Sequence, residues 1–375
     1  MTWDENRTAR AGLTAVCESA SPQLANLLRA YSPAEIWQGV LSRREGAWGA
    51  RAARLDLDAL LSQSDELGIR FLAPGDAEWP DSLSDLDHVE LNGMGGQPVG
   101  LWALGPADLA RTSRRSVAIV GSRASSSYGD HVALELAAEL AAGEDGWAIV
   151  SGGAYGIDAA AHRGALAAHG RTVAILAGGL DAAYPRGNAR LFELILNGNL
   201  LVSEVPVGHP PSRAAFLARN RLIAALGQGT IIVEGAARSG AHNTIAWACE
   251  CGRPAMAVPG PVTSGMSVTP HRLIRDHKAS LVTDADDVRA IVEPLSRAPE
   301  LPLGGGERRL DRLSVATRTV REAMPGRGSV DVGTLAVLSG LPLPGVLASL
   351  AELEELVLVE SVGADSWRLV RPASR

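Results

Sequence analysis

The sequence predicts an α/β protein: a doubly wound parallel sheet, flanked by a small helical domain before it and a two-helix-plus-hairpin module after it. Three observations predict this. Six short apolar runs lie between residues 116 and 258, separated by segments with helical spacing. Continuous apolar strands alternating with helices indicate a parallel sheet covered on both faces. The first three runs end in glycine-containing turns, and both flanks of the chain abandon the pattern. At about 100–200 residues per domain, 375 residues give two or three domains.

Residues 1–70 read as short helices. Ser21-Pro22 offers a cap and a first-turn proline ahead of Leu24, Leu27 and Leu28, and Leu55, Leu57, Leu60 and Leu61 mark a further helix before Gly68. Residues 71–112 read as a connecting segment, with strands expected at Ile69–Leu72 and Val99–Leu104. The core spans 113–292. Its strands are expected at Ser116–Val120, Trp147–Val150, Thr172–Leu176, Leu200–Val202, Thr230–Val233 and Ala255–Val258, with helices over Asp130–Ala142 and Ala159–His169. Residues 293–306 are rich in Pro and Gly, lack periodicity and read as a linker. In 307–372, Thr334–Ala336 leads one helix and Leu343–Leu356 forms another. Val357–Val362 and Ser366–Val370 alternate like a hairpin around Gly363, and two helices plus a hairpin suggest a winged-helix module.

Composition excludes several classes. Hydrophobic residues make up 46% and charged residues 21%, which argues against general disorder. No apolar run reaches the ~18 residues of a membrane-spanning helix. The polar start, MTWDENRTAR, lacks the apolar stretch of a secretory signal. Cys249-Glu250-Cys251 is too tight for a C-x-x-C site, and these two read as ordinary buried residues; with Cys17 the count is odd and without metal-site company, which reads as a reduced, cytoplasmic protein. A net charge of −7 argues against a nucleic-acid partner until its distribution is read. Residues 1–112 hold 9 Arg and 16 Asp/Glu, whereas 113–293 hold 16 Arg/Lys and 16 Asp/Glu. The acidic excess therefore sits in the N-terminal third, and the glycine-rich middle is free to carry a local basic groove.

The carboxyl ends of parallel strands form a ligand crevice, and backbone N–H groups at the following helix starts favour phosphate there. Gly121-Ser122-Arg123 is the first such element, and Arg123 adds a planar, permanently charged donor fork. Ser151-Gly152-Gly153 is the second, with Gly178-Gly179 behind it. One glycine pair is only a tight turn; three in register in one sheet point to an anion site. The run G-S-R-A-S-S is not G-x-G-x-x-G, and no G-x-x-x-x-G-K-[ST] occurs, so nicotinamide dinucleotides and P-loop ATP are poor candidates and no cofactor is expected. Within Arg213–Ala225, Arg219-Asn220-Arg221 places two guanidinium groups and an amide near Phe216. Arginine with an aromatic ring is the minimum kit for single-stranded nucleic acid. The alternative is that the arginines form surface ion pairs and Phe216 fills the core. Asp158 and His162, four apart on one helix face, read either as an acid–base pair or as a helix cap and a packed imidazole. No metal motif occurs, and no catalytic residue is assigned.

These segments together resemble the DNA-processing protein A family (DprA, also called Smf). The likeness runs through VAIVGSR (Val117–Arg123), SGGAYGIDAAAHRGAL (Ser151–Leu166), ILAGGLDAAYPRGN (Ile175–Asn188) and LVSEVPVGHPP (Leu201–Pro211). It continues in FLARNRLIAAL (Phe216–Leu226), VEGAARSGAHNTIAWA (Val233–Ala248), GRPAMAVPGPV (Gly252–Val262) and HRLIRD (His271–Asp276). The resemblance implies a Rossmann-like core that binds single-stranded DNA, dimerises, and helps load the RecA recombinase in transformation or recombination. It implies DNA contacts at Gly121, Ser122 and Arg123 and along Phe216, Arg219, Asn220 and Arg221, with Ser151, Gly152 and Gly153 at the same crevice. The N-terminal flank resembles a SAM/helix-hairpin-helix-like accessory domain. Two departures stand out. Tyr155 occupies a position where the family commonly has Arg, and Thr269-Pro270-His271 replaces a small-residue-and-Cys segment. The fold and the Gly-Gly crevice also resemble lysine-decarboxylase-like nucleotide-processing enzymes, but their P-G-G-x-G-T signature is missing from this chain.

Overall fold

Runs such as Ser116–Val120 (SVAIV) and Thr172–Leu176 (TVAIL) have no polar face to turn to water, so they are stable only between two covering layers. The computed structural model describes residues 3–293 and 313–370 except 44, 238, 327 and 364, and these fall into two units on either side of the gap. The linker expected over 293–306 lies, but for Glu293, outside the described residues.

The first unit begins with five helices: α1 (Glu5–Val16), α2 (Pro22–Ala30), α3 (Pro33–Ser42), α4 (Ala47–Ala52) and α5 (Leu57–Glu66). Four are started by side-chain caps from Asp4, Ser21, Ser32 and Asp56, and Ser32 closes a capping box with Glu35. Then come β1 (Arg70–Leu72), the short hairpin β2 (Glu90–Leu91) and β3 (Met94–Gly95), β4 (Leu101–Leu104) and α6 (Leu109–Ser113). Strand and helix alternate from there: β5 (Ser116–Val120), α7 (Ser127–Ala141), β6 (Ala148–Ser151), α8 (Ile157–Ala167), β7 (Thr172–Leu176), α9 (Ala189–Leu196) and β8 (Leu200–Ser203). The run ends with α10 (Arg213–Leu226), β9 (Thr230–Ile232), α11 (Ala241–Glu250), β10 (Ala255–Ala257), α12 (Val268–Arg275), β11 (Ser280–Leu281) and α13 (Ala285–Val292).

Nine strands make one sheet in the order β1-β4-β8-β7-β6-β5-β9-β10-β11. From β8 to β11 every pair is parallel, as the doubly wound expectation requires. The order reverses beside β5: β6, β7 and β8 extend one way, β9, β10 and β11 the other. A ligand crevice opens at such a switch point, beyond the carboxyl ends of the strands. Side chains alternate between faces. Val117, Ile119, Ile149 and Ile231 pack under α7, α8 and α13. Ala118, Val120, Val150, Val173 and Ile232 pack under α10 and α11.

The N-terminal segments belong to this sheet rather than to a separate body. β4 pairs antiparallel with β8 (Trp102 opposite Ser203), and β1 pairs antiparallel with β4 (Phe71 opposite Trp102). Ala11, Leu60 and Leu61 from the helices share a core with Phe71, Trp102, Leu176, Phe192 and Leu201. Phe71 and Trp102 lie 4.7 Å apart between ring centroids, and Trp102 Nε1 donates to Thr14 Oγ1 at 3.2 Å.

The second unit holds α14 (Val315–Ala323), β12 (Val330–Asp331), α15 (Val332–Ser339), α16 (Leu343–Glu355), β13 (Val359–Ser361) and β14 (Ser366–Leu369). Its strands pair antiparallel in the order β12-β14-β13, over a core of Val320, Leu335, Val346, Leu350, Leu353 and Val359. No single helix among the described residues is long and apolar enough to cross a membrane.

Trp102 joins the helical flank to the sheet, so Trp102→Ala should cost about 3–5 kcal/mol of stability. Urea unfolding followed by far-UV signal should show the first unit's helices and sheet unfolding together at a lower midpoint. Early, separate melting of the N-terminal helices with the sheet unchanged would disprove the shared core.

Candidate nucleic-acid interface

The crevice is built from two loops and one helix. The β5 loop carries Gly121, Ser122 and Arg123, and the loop after β6 carries Gly152 and Gly153. The chain after β8 returns as α10, whose first half crosses beneath both. Ser212 starts α10 by accepting from Ala215 N. Helical spacing then puts Phe216, Arg219 and Asn220 toward the strand ends.

Arg123 is exposed and stands over the Phe216 ring, with Cζ 4.6 Å from the centroid. Phe216 is half-buried, outside the apolar core, and also lies 5.7 Å from the Tyr184 ring. The Arg219 guanidinium also lies near this ring, with Cζ 5.8 Å from the Phe216 centroid. Arg123, Phe216 and Arg219 therefore converge, although almost a hundred residues separate the first from the others.

Arg219 is a floor rather than a rim. It is only 6% exposed, and its Nη1 donates to the Ile175 carbonyl at 2.6 Å while Nε donates to Asn220 Oδ1 at 3.1 Å. Asp158 lies 3.9 Å away. Asn220 is also buried and donates onward to Asn243 Oδ1 at 3.1 Å, tying α10 to α11. Gly152 is glycine because a Cβ there would lie 1.8 Å from Arg219 Nη1. Gly153 has φ +64°, where side chains are strained. Ser151 is fully buried and donates to the Ile119 carbonyl at 2.6 Å, so it locks two strands together. Gly121 packs on Ile157, and the Ser122 carbonyl accepts from Ile157 N at 3.2 Å.

Arg221 is placed elsewhere. It is fully buried, holds Glu204 in a two-pronged ion pair at 2.7 and 3.0 Å, and donates to the Gly96 carbonyl at 3.1 Å. Two residues along a helix turn a side chain through about 200°, which carries Arg221 away from the face that holds Arg219. It pins α10 to the β8 loop and to the segment after the β2–β3 hairpin. The expectation of two adjacent groove arginines therefore holds for neither in its simple form: Arg219 underlies the crevice and Arg221 lies outside it.

Asp158 and His162 do not pair. Asp158 accepts from Ala154 N at 3.3 Å in the first turn of α8, and His162 Nδ1 meets Thr172 Oγ1 at 2.7 Å. Burial pushes the His162 imidazole down to about 3, with the positive charge of Arg219 adding to the shift. Burial also lowers Arg219 to about 10 against the pull of Asp158, and raises the Asp158 carboxyl against the pull of Arg219. No group of three or more His, Cys, Asp or Glu among the described residues could hold a metal ion. Cys249 is exposed and Cys251 half-exposed, against the expectation that both are buried: α11 ends at Glu250 and turns its last residues to the surface. Burial raises both thiols, so neither is an activated nucleophile.

Two elements escaped the sequence reading. Glu234, only 2% exposed, accepts from Ser126 N at 2.8 Å and Ser126 Oγ at 2.6 Å. The protein's own carboxylate thus occupies the start of α7, where a dinucleotide's pyrophosphate would lie in a nucleotide-binding relative of this fold. Tyr184 contacts Phe216 from a loop whose Tyr-Pro-Arg sequence gives only a turn signal. Fold and crevice thus define a Rossmann-like α/β protein whose strand-end site is arginine, glycine backbone and aromatic ring, not a dinucleotide cradle.

Comparison with known proteins agrees. The model of the family described as DNA recombination-mediator protein A matches residues 70–293. A DNA processing protein DprA of Mycobacterium tuberculosis (strain H37Rv) is 44% identical over 381 residues, covering 98% of this chain and 95% of that protein. The X-ray structure of DprA from Streptococcus pneumoniae aligns with a TM-score of 0.62 at 32% identity, over 78% of this chain and 100% of that one. A structure of Helicobacter pylori DprA, described for its single-stranded DNA binding mode, aligns with a TM-score of 0.50 at 26% identity, over 59% and 93% of the two chains. The chain belongs to the DNA recombination-mediator protein A family.

Two predictions follow from the buried charges. Glu204→Ala or Arg221→Ala leaves an unpaired buried charge and should cost about 3–5 kcal/mol in urea unfolding. Arg123→Ala, at the exposed rim, should cost less than about 1 kcal/mol. Equal costs would place Arg221 at the surface.

His162 is neutral in the folded state down to about pH 3, whereas in the unfolded chain it takes a proton near pH 6.5. Below that pH the unfolded state binds the extra proton, so this residue's contribution to stability falls as pH drops from about 6.5 toward 3, by about 1.4 kcal/mol per unit. Between pH 6 and 4, wild-type stability should fall relative to His162→Asn by that slope. A pH-independent difference would show the imidazole to be solvated.

Proposed function

We propose that this protein binds single-stranded DNA along the strand-end crevice, protects it, and passes it intact to the RecA recombinase in DNA uptake (transformation) and recombination. The observation that carries the reading is the exposed Arg123 guanidinium stacked at 4.6 Å on the half-exposed Phe216 ring, above a floor of Gly152, Gly153 and Arg219. A cation for the backbone stands beside a π-face, and every base has a π-face to stack on it. Gly121 and Ser122 lie beside Arg123 on the rim. Ser151, Asn220 and Arg219 set the floor's geometry. Arg221 acts at a distance, by anchoring α10. The DprA likenesses to Mycobacterium tuberculosis and Streptococcus pneumoniae support a DNA-processing role, and the Helicobacter pylori structure supports single-stranded DNA as the ligand.

The reading includes a homodimer in the cytoplasm, direct contact with RecA, and a winged-helix role for the second unit. It includes no turnover and no cofactor. The nucleotide-processing alternative fits less well, because Glu234 fills the anion position at α7 and Asp158 and His162 face different partners. The crevice holds phosphate by arginine, which does not attack it.

Phosphate contacts release counterions, so Arg123→Ala should weaken binding of all sequences alike and flatten the plot of log affinity against log salt by about 0.7. Phe216→Ala should cost about 1–3 kcal/mol of affinity. Titration of a labelled oligonucleotide at several salt concentrations measures both, and the oligonucleotide should be recovered uncut with or without magnesium. An unchanged slope in Arg123→Ala would remove Arg123 from the path of the strand.

A further inference from the structure

We infer a second subsite on the same rim, formed by Tyr155, Tyr184 and Arg186, which stacks further bases and holds a further phosphate of a single strand that has passed Phe216. The inference rests on the reading of the crevice as a single-stranded DNA site and extends it to residues outside the expected contact set.

Tyr155 follows β6 and Tyr184 follows β7, on neighbouring loops of the sheet's carboxyl rim. Each is 48% exposed. Isolated surface rings need no explanation, but these continue a cluster: Tyr184 lies 5.7 Å from Phe216, which carries Arg123. Two of the chain's 4 Tyr and one of its 3 Phe lie on this one rim.

The Tyr155 ring and the loop that carries Tyr184 are held before any ligand arrives. Tyr155 Oη accepts from Gly187 N at 3.2 Å, and the Tyr155 side chain fills the space a Cβ on Gly187 would need, with Oη 2.6 Å from that position. Asn188 is 2% exposed, and its Nδ2 donates to the Gly153 and Ala154 carbonyls at 3.0 and 3.1 Å. The β7 loop is thereby clamped to the glycine turn of the crevice floor. Rings fixed in this way lose little freedom when a base stacks, so more of the stacking energy appears as affinity.

Arg186 lies between Tyr184 and the clamp. It is exposed and makes no ion pair or side-chain hydrogen bond among the described residues. The loop's one carboxylate, Asp181, is engaged by Gly208 N at 3.0 Å. The charge of Arg186 is thus available to a phosphate, two residues along the loop from the Tyr184 ring, so cation and π-face stand on one short segment as the strand requires.

The test compares binding of the full chain to a fluorescent oligo-dT and to an oligonucleotide of equal length made of abasic sites. Tyr155→Ala and Tyr184→Ala should each weaken oligo-dT by about 5- to 150-fold and leave the abasic strand nearly unchanged. Tyr184→Phe, which keeps the ring, should bind as wild type. Arg186→Ala should weaken both strands and flatten the salt dependence by about 0.7. Wild-type affinity for both strands in all three alanine variants would overturn the subsite while leaving single-stranded DNA binding at Arg123 intact. Equal losses on both strands in the tyrosine variants would also overturn it, because the rings would then position the loop without stacking bases. Failure of wild type to bind either strand at low salt would overturn the underlying reading instead.

Discussion

A guanidinium buried beneath the carboxyl rim of the sheet is the constraint on which the rest of the site depends. Taking a charge out of water costs several kcal/mol unless its donors are met and a counter-charge is near. Arg219 meets that demand through the Ile175 carbonyl, Asn220 and Asp158. Each partner imposes a consequence. The residue above the guanidinium has to be Gly152, because a side chain would collide with it. The carboxyl of Asp158 is held at the start of α8, and His162 is kept neutral. The helix that carries Arg219 is set against β6 and β7, and the same turn of that helix presents Phe216 at the opening.

Floor and rim therefore answer to different physics. The floor residues Ser151, Gly152, Gly153, Arg219 and Asn220 are buried, and their interactions are geometric and intolerant of substitution. The rim residues Arg123, Tyr155, Tyr184 and Arg186 are exposed and contribute little to folding. Affinity for a polyanion can thus be tuned at the rim without disturbing the sheet. Net charge misleads at this scale: the acidic excess lies in the first 112 residues, while the crevice gathers arginines from segments far apart in sequence.

Glu234 makes the same fold unfit for a different ligand. A helix start attracts anions, and here the start of α7 is already satisfied by the protein's own carboxylate, from the β9 end through Ser126. The architecture of a nucleotide-binding protein is retained while its ligand changes, because ligand choice lives in the loops rather than in the strands.

The parallel sheet was legible from the amino-acid order because its signals are local. Apolar runs, glycine turns and the helical spacing around Arg213–Ala225 each need only a few neighbouring residues, and the family resemblance rested on the same segments. The antiparallel strands β1 and β4 were visible as apolar stretches, but not their place in the main sheet, because pairing partners are set by burial of Phe71 and Trp102 against distant helices. At the site, the residue types Arg, Phe and Gly were legible and their division of labour was not. Arg219 and Arg221 look alike in sequence, yet one underlies the crevice and the other is clamped by Glu204. That difference is decided by which carboxylate and which carbonyls the fold brings within about 3 Å, a distance that hydrogen-bond geometry requires and that no linear spacing specifies. Tyr184 meets Phe216 from a loop that the Asn188 clamp folds onto the crevice floor. The sequence alone determined the strands, the turns and the kinds of side chain available; tertiary structure alone decided which charges are buried as scaffold and which are left in water for a ligand.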